Sequence, residues 1–284
     1  RRLCVQAFRG VGKSWITSAY VCHQLMLDPQ KNILVVSASK TRADDFSTFT
    51  LRLIHEVPIL AHLKPKEGQR MSKISFDVGP APASHAPSVV SKGITSQITG
   101  SRADLIVADD IESLNNSATQ TMRDKLSEAI KEFDAVLKPD GNIVVLGTPQ
   151  TESSLYSVLP ERGFIPRIWP SRYPTASQRK GYGDWLAPKI TEEIEQDPDI
   201  VSQPTDPKRF DSEDLMEREA SYGRTGFALQ FMLDTTLSDV DRYPLKLSDL
   251  VVMRLDKEHS PEKIIWAGSP EYAYKDLPCV GMAG

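Results

Sequence analysis

The feature that most constrains this chain is the stretch Ala7-Phe8-Arg9-Gly10-Val11-Gly12-Lys13-Ser14. It stands between a strand-like run, Arg1 to Ala7, and an apolar helical stretch, Lys13 to Leu27. A loop of small residues at such a junction lets successive backbone N–H groups converge on phosphate oxygens, while the helix N-terminus adds its partial positive charge. In that arrangement Lys13 reaches the β- and γ-phosphates and Ser14 ligates Mg²⁺, with Phe8, Arg9, Gly10, Val11 and Gly12 forming the rest of the cradle. The usual pattern opens on glycine; Ala7 stands there, so the match is seven parts in eight.

Two later strand ends complete a candidate site. Leu105-Ile106-Val107-Ala108-Asp109-Asp110 is four apolar residues followed by two carboxylates, as expected for a buried strand whose C-terminal end faces bound phosphate. Asp109 is assigned to the metal, and Asp110 to orienting or deprotonating the attacking water. Asp110 is one methylene shorter than the glutamate common at this position, so Glu112 stays open as its substitute. Val144-Val145-Leu146-Gly147-Thr148-Pro149-Gln150 is a third strand ending in polar groups, with Thr148 as a γ-phosphate sensor. Arg9, in cis, and Arg102, serving its own site or a neighbour's, are the candidate guanidinium groups for the developing charge.

The rest of the chain sets the fold class. Strands are expected near 2–7, 32–38, 104–109, 142–147 and 163–169, alternating with helices, which is the pattern of an α/β fold with a mostly parallel sheet. Lys13 to Leu27 carries apolar residues on nearly every side, predicting a helix buried all round with His23 packed inside. Met122, Leu126, Ile130, Phe133 and Leu137 predict a helix over 117–137 with one apolar stripe. Residues 72–95 read as an inserted hairpin, and 171–207 as a lid or connecting region of little periodicity. Ser212 is expected to cap a helix running to about Ser221, with Gly223 ending it before the run Phe227 to Leu233.

Three cysteines spell neither a disulfide framework nor a zinc pattern. Thirty-four basic against 38 acidic residues give a formal charge of −4, so any nucleic-acid affinity must come from local patches. No apolar run approaches the roughly 18 residues of a membrane span. The chain opens directly on a strand-like run with no leader and reads as an excised fragment. Three divisions are expected: a phosphate-loop core over 1–170, a lid with two helices over 171–234, and a linker over 235–284.

Taken together, Gln6-Ala-Phe-Arg-Gly-Val-Gly-Lys-Ser14, Val36-Ser-Ala-Ser-Lys40, Gly93-Ile-Thr-Ser-Gln-Ile-Thr-Gly-Ser-Arg-Ala-Asp104, Ala108-Asp-Asp110, Leu146-Gly-Thr-Pro-Gln-Thr-Glu152 and Gln203-Pro-Thr-Asp-Pro207 resemble, in order and spacing, the large terminase subunits (DNA maturase B) of short-tailed bacteriophages. Phe227 to Leu233 resembles the last ATPase helix of that family. The resemblance implies a RecA-like, additional-strand P-loop ATPase core with a small lid. It implies ATP and Mg²⁺ as cofactors, and translocation of double-stranded DNA into a procapsid. The implied partners are the portal protein, the small terminase subunit and further copies in a ring, in the host cytoplasm, with no membrane. A nuclease domain is implied beyond residue 284, and with it cutting of concatemers. A RecA-like helicase or recombination ATPase, or a nucleotide-binding scaffold that no longer hydrolyses, are the competing readings.

Overall fold

A computed structural model of the chain describes residues 1–151 and 154–235. The chain divides into a unit of Arg1–Ser238 and a second of Asp239–Gly284. The expected linker over 235–284 falls, but for its first residue, outside the described residues.

The first unit is built on a seven-stranded sheet of β1 (Arg2–Ala7), β2 (Ile33–Ser37), β3 (Ser75–Phe76), β4 (Val89–Gly93), β5 (Ala103–Asp109), β6 (Leu137–Gly147) and β7 (Ile165–Trp169). Their order across the sheet is β3-β4-β2-β5-β6-β1-β7, and only the short β3 runs antiparallel to its neighbour. Strands buried on both faces carry continuous apolar runs whose alternate residues enter opposite cores. In β2, Leu34 and Val36 join one core while Ile33 and Val35 join the other.

The helices supply the other half of each core. On one face lie α1 (Lys13–Leu27) and α2 (Lys40–Glu56), contributing Val21, Cys22, Leu25, Phe46 and Ile54. On the other lie the single turn α3 (Leu114–Ser117), the long α4 (Gln120–Val136) and the short α5 (Leu155–Val158). From α4 come Leu126, Ile130, Phe133 and Val136, and Tyr156 of α5 packs against them. The ends of β1, β5 and β6 are therefore fixed from both sides by close packing.

Several expectations are corrected. The helix α1 is not buried all round: Trp15, Ile16 and Leu27 are each 67% exposed. His23 is exposed as well, because only one flank of α1 meets the sheet. Met122 stays out of the α4 stripe at 40% exposure, and the buried residues of the helix begin at Leu126. The second half of the expected hairpin, Val89–Gly93, is a full parallel strand beside β2. The strand before residue 148 begins earlier than expected, at Leu137, with a register shift opposite Ala103 to Leu105.

The region 171–207, expected to show little periodicity, carries two short helices, α6 (Ala176–Tyr182) and α7 (Pro188–Gln196), and the helix expected from Ser212 follows as α8 (Ser212–Phe227). Tyr182, Leu186, Ile190 and Ile194 close a small core against Ile168 of β7. Asp211, not Ser212, caps α8 by accepting from the Asp214 backbone N–H at 2.9 Å. Gly223 breaks the helix as expected, at φ 70°, where a side chain would be strained. A π-helical turn, Ala228–Met232, follows, and Leu233 leaves it in the left-handed region.

Candidate active site

The site forms where β1, β6 and β5 end side by side. Val5 of β1 and Asp109 of β5 both pair with Leu146 of β6, so the phosphate loop, Thr148 and the acid pair emerge level with one another. β6 thus stands as an additional strand between the loop-bearing and acid-bearing strands.

The loop owes its shape to Gly10 and Gly12, at φ 88° and 89°. An L side chain there would be strained, and a Cβ on Gly12 would stand 2.8 Å from Arg209 Nη1. Ala7, in contrast, is the last residue of β1, in strand conformation, and is satisfied by using only its carbonyl. That carbonyl accepts from Lys13 Nζ at 3.1 Å and from Thr148 Oγ1 at 2.9 Å. The departure from a leading glycine therefore leaves the loop intact. Phe8 reaches the loop through its backbone alone; its ring is fully buried, edge-on to Phe210 at 5.3 Å between centroids.

The expected metal pair meets directly. Ser14 Oγ donates to Asp109 Oδ2 at 2.7 Å. Asp109 Oδ1 is buried and has no hydrogen-bond partner among the described residues, which leaves one carboxylate oxygen beside the serine hydroxyl for a cation. Oxygen ligands of this kind suit Mg²⁺, which keeps several waters and takes few protein ligands. Burial pushes the Asp109 carboxyl up to about 6, against the pull of the Ser14 hydroxyl. Lys13 is pushed the other way: burial lowers its pKa, and Asp110 and Asp109 oppose that. Its ammonium also donates to Thr148 Oγ1 at 2.9 Å, so the expected sensor hydroxyl and the loop lysine are in contact.

Asp110 sits at φ 45°, partly exposed, with its backbone N–H on Leu146 O at 2.9 Å. With Arg9, Lys13, Arg42, Thr148 and Gln230 it lines a polar cavity of ≈ 370 Å³. Glu112 also borders this cavity, but it is 3% exposed and its carboxylate is fully engaged. It accepts from the backbone N–H of Gln150 (3.0 Å) and Leu155 (2.6 Å) and from Ser154 Oγ (2.9 Å). Burial raises its pKa and these donors hold it back. Glu112 is thus a brace tying the loop after β5 to the loop after β6, not a free carboxylate, and the substitute role does not fit it.

The two candidate arginines separate. Arg9 lines the cavity and donates from Nη1 to Gln230 Oε1 at 3.3 Å. Arg102 precedes β5 and donates to Ser101 O and Ala135 O. It lies about 20 Å from the acid pair along seven strand residues, so it does not serve its own site.

Three contributors went unread in the sequence. Arg42 lies in the first turn of α2, where Ser39 caps the helix and β2 ends level with β5; its place after a strand end was a usable signal. Arg209 Nη1 reaches Val11 O at 3.4 Å. Gln230 arrives from the π-helical turn, more than 220 residues after the loop it meets, and no local pattern marks either of these last two.

The parallel sheet, the strand added between β1 and β5 and the loop-to-acid contact define an additional-strand P-loop nucleotide-binding fold. The chain is 50% identical, over 289 aligned residues that take in all of it and 49% of the relative, to the terminase large subunit of Enterobacteria phage T3. Over the part it spans, it is similar throughout to that large terminase subunit. It spans about half the length of that relative. The large terminase ATPase domain of Thermus phage P74-26 shares 13% identity, with a TM-score of 0.46 over 81% of this chain and 87% of that one. A mutant of the same domain gives 14% and 0.45 over the same shares. No family model matches the chain.

Proposed function

We propose that this chain is the ATP-hydrolysing motor part of a viral packaging machine, moving double-stranded DNA into a procapsid. The observation that supports it most is the 2.7 Å hydrogen bond from Ser14 to Asp109, which joins two motifs 95 residues apart into one phosphate and cation site. Ser14 and Asp109 would hold Mg²⁺, which neutralises developing phosphate charge when bound with ATP. Lys13 exchanges its bonds to Ala7 O and Thr148 for phosphate oxygens, and Thr148 reports their presence. Asp110 faces the cavity and takes or orients the proton of the attacking water. Arg9 acts in cis on the transferring phosphoryl group, and Arg102, at the far end of β5, is presented to a neighbouring copy.

In this reading residues 1–170 are the ATPase core and 171–234 the lid, with 235–284 leading to a nuclease domain that cuts concatemers. The partners are the portal protein, the small terminase subunit and further copies in a ring, at the procapsid in the host cytoplasm. Among the described residues no helix is long and apolar enough to cross a membrane. The test is Lys13→Ala: ATP turnover in the presence of DNA falls to background while the circular dichroism spectrum is unchanged. Undiminished turnover overturns the site. Unwinding of blunt duplexes by the unsubstituted protein would replace the packaging motor with a helicase.

A further inference from the structure

Gln230 is 8% exposed, and both ends of its side-chain amide are occupied. Its Oε1 accepts from Arg9 Nη1 at 3.3 Å, and its Nε2 donates to Pro149 O at 3.0 Å. Its own backbone carbonyl accepts from the Arg9 backbone N–H at 3.0 Å. One residue thus holds the phosphate loop twice and the segment after Thr148 once.

The turn that carries it is built to present it. Residues 228–232 form a π-helical turn, a rare conformation that recurs at functional sites. Carbonyls in the last turn of a helix have no partner within the helix, which frees Gln230 O for Arg9. The turn is clamped from outside: Phe231 stacks on Phe227 at 5.0 Å, Phe231 O accepts from Ser171 N at 2.8 Å, and Met232 O accepts from the Tyr182 hydroxyl. Ser171 and Tyr182 belong to the helical segment after β7, so a shift of that segment moves Gln230.

The chemistry also selects glutamine. A neutral amide accepts from a guanidinium at one end and donates to a carbonyl at the other; a carboxylate cannot donate and an apolar side chain does neither. We propose that Gln230 is a positioning residue for Arg9: it sets the guanidinium over the site and makes that placement depend on where the segment after β7 sits. The proposal rests on the reading of the cavity as an ATP-hydrolysing site with Arg9 acting in cis.

The test is a double-mutant cycle on ATP turnover by the full chain, with Gln230→Met and Arg9→Ala. Gln230→Met is expected to lower kcat about 10- to 100-fold, the scale of a misplaced group, with KM for ATP within about twofold because both ends of the Gln230 amide are already taken by Arg9 and Pro149. In the Arg9→Ala background the same change should cost less than about twofold, since no guanidinium remains to be placed. Gln230→Glu keeps the size and the acceptor but loses the donor to Pro149. It should also lower kcat and also lose its effect without Arg9, and it supplies the cycle where the methionine variant does not fold. An undiminished factor in the Arg9→Ala background, or a loss confined to KM, overturns the proposal. Lys13→Ala separates the failures: if it abolishes turnover while Gln230 and Arg9 act independently, the site stands and only the positioning role falls.

Discussion

The carboxyl ends of β1, β5 and β6 and the helical segment after β7 both line the phosphate loop, yet they were built under different constraints. The strand ends carry side chains whose chemistry is tied to position: a glycine where φ is positive, a lysine one step into a helix, a carboxylate after a buried apolar run. The helical segment supplies Arg209, Phe210 and Gln230 from loops and from a π-helical turn. Phe210 Cζ comes within 3.1 Å of where a Cβ on Gly10 would stand. In the proposed mechanism the first region does the chemistry of charge and proton and the second holds the loop in place, so one should respond to substitution in turnover and the other in stability and coupling.

The sharpest way to break that division is Asp110→Asn. Turnover should fall by about 10²- to 10⁴-fold, the range of general-base catalysis, with the melting temperature nearly unchanged, because Asp110 is partly exposed. A large fall in melting temperature would move Asp110 among the structural residues. Next in size is Phe210→Ala, which removes a ring 6% exposed from the cluster of Phe8, Phe231 and Met232. Truncations of this kind cost about 3–5 kcal/mol in a closed core, and urea titration should read a loss toward the lower end of that range.

Glu112→Ala tests the brace on the chemical side. Two backbone N–H groups and a hydroxyl lose a buried acceptor, and an unsatisfied group of that kind costs about 1–3 kcal/mol. Chemical denaturation should register that loss, whereas a general base would show unchanged stability and a fall in turnover alone.

The smallest effect is a pH dependence. With Asp109 raised to about 6, the folded protein without metal binds a proton that the unfolded chain, at the ordinary carboxylate value near 4, has released. Stability of the metal-free protein should therefore fall as pH rises from about 4 through 6. Thermal melts in chelator should lose that slope in Asp109→Asn, and a slope that persists would assign it to another group.

Much of the fold was legible because the sheet is buried on both faces: β2 and β5 read as unbroken apolar runs and α4 as a stripe. The helix α1 was misread for the same reason that β2 was read correctly. Apolar residues all round a helix do not say whether a neighbour covers each side, and Trp15 and Ile16 face outward. The choice between Asp110 and Glu112 was likewise closed to the sequence. Both are carboxylates near one strand end, and only the donors from Gln150, Ser154 and Leu155 show that Glu112 is already engaged.

By itself, then, the sequence determined the phosphate loop, the acid strand and their common sheet, because each depends on residue types at fixed short spacing along one strand and its flanking turn. The tertiary structure alone decided which carboxylate is free, that Arg102 lies away from its own site, and that Gln230 joins Arg9 to Pro149. Those outcomes depend on distances between segments far apart in the chain, and such distances are set by packing the whole sheet and its helices at once.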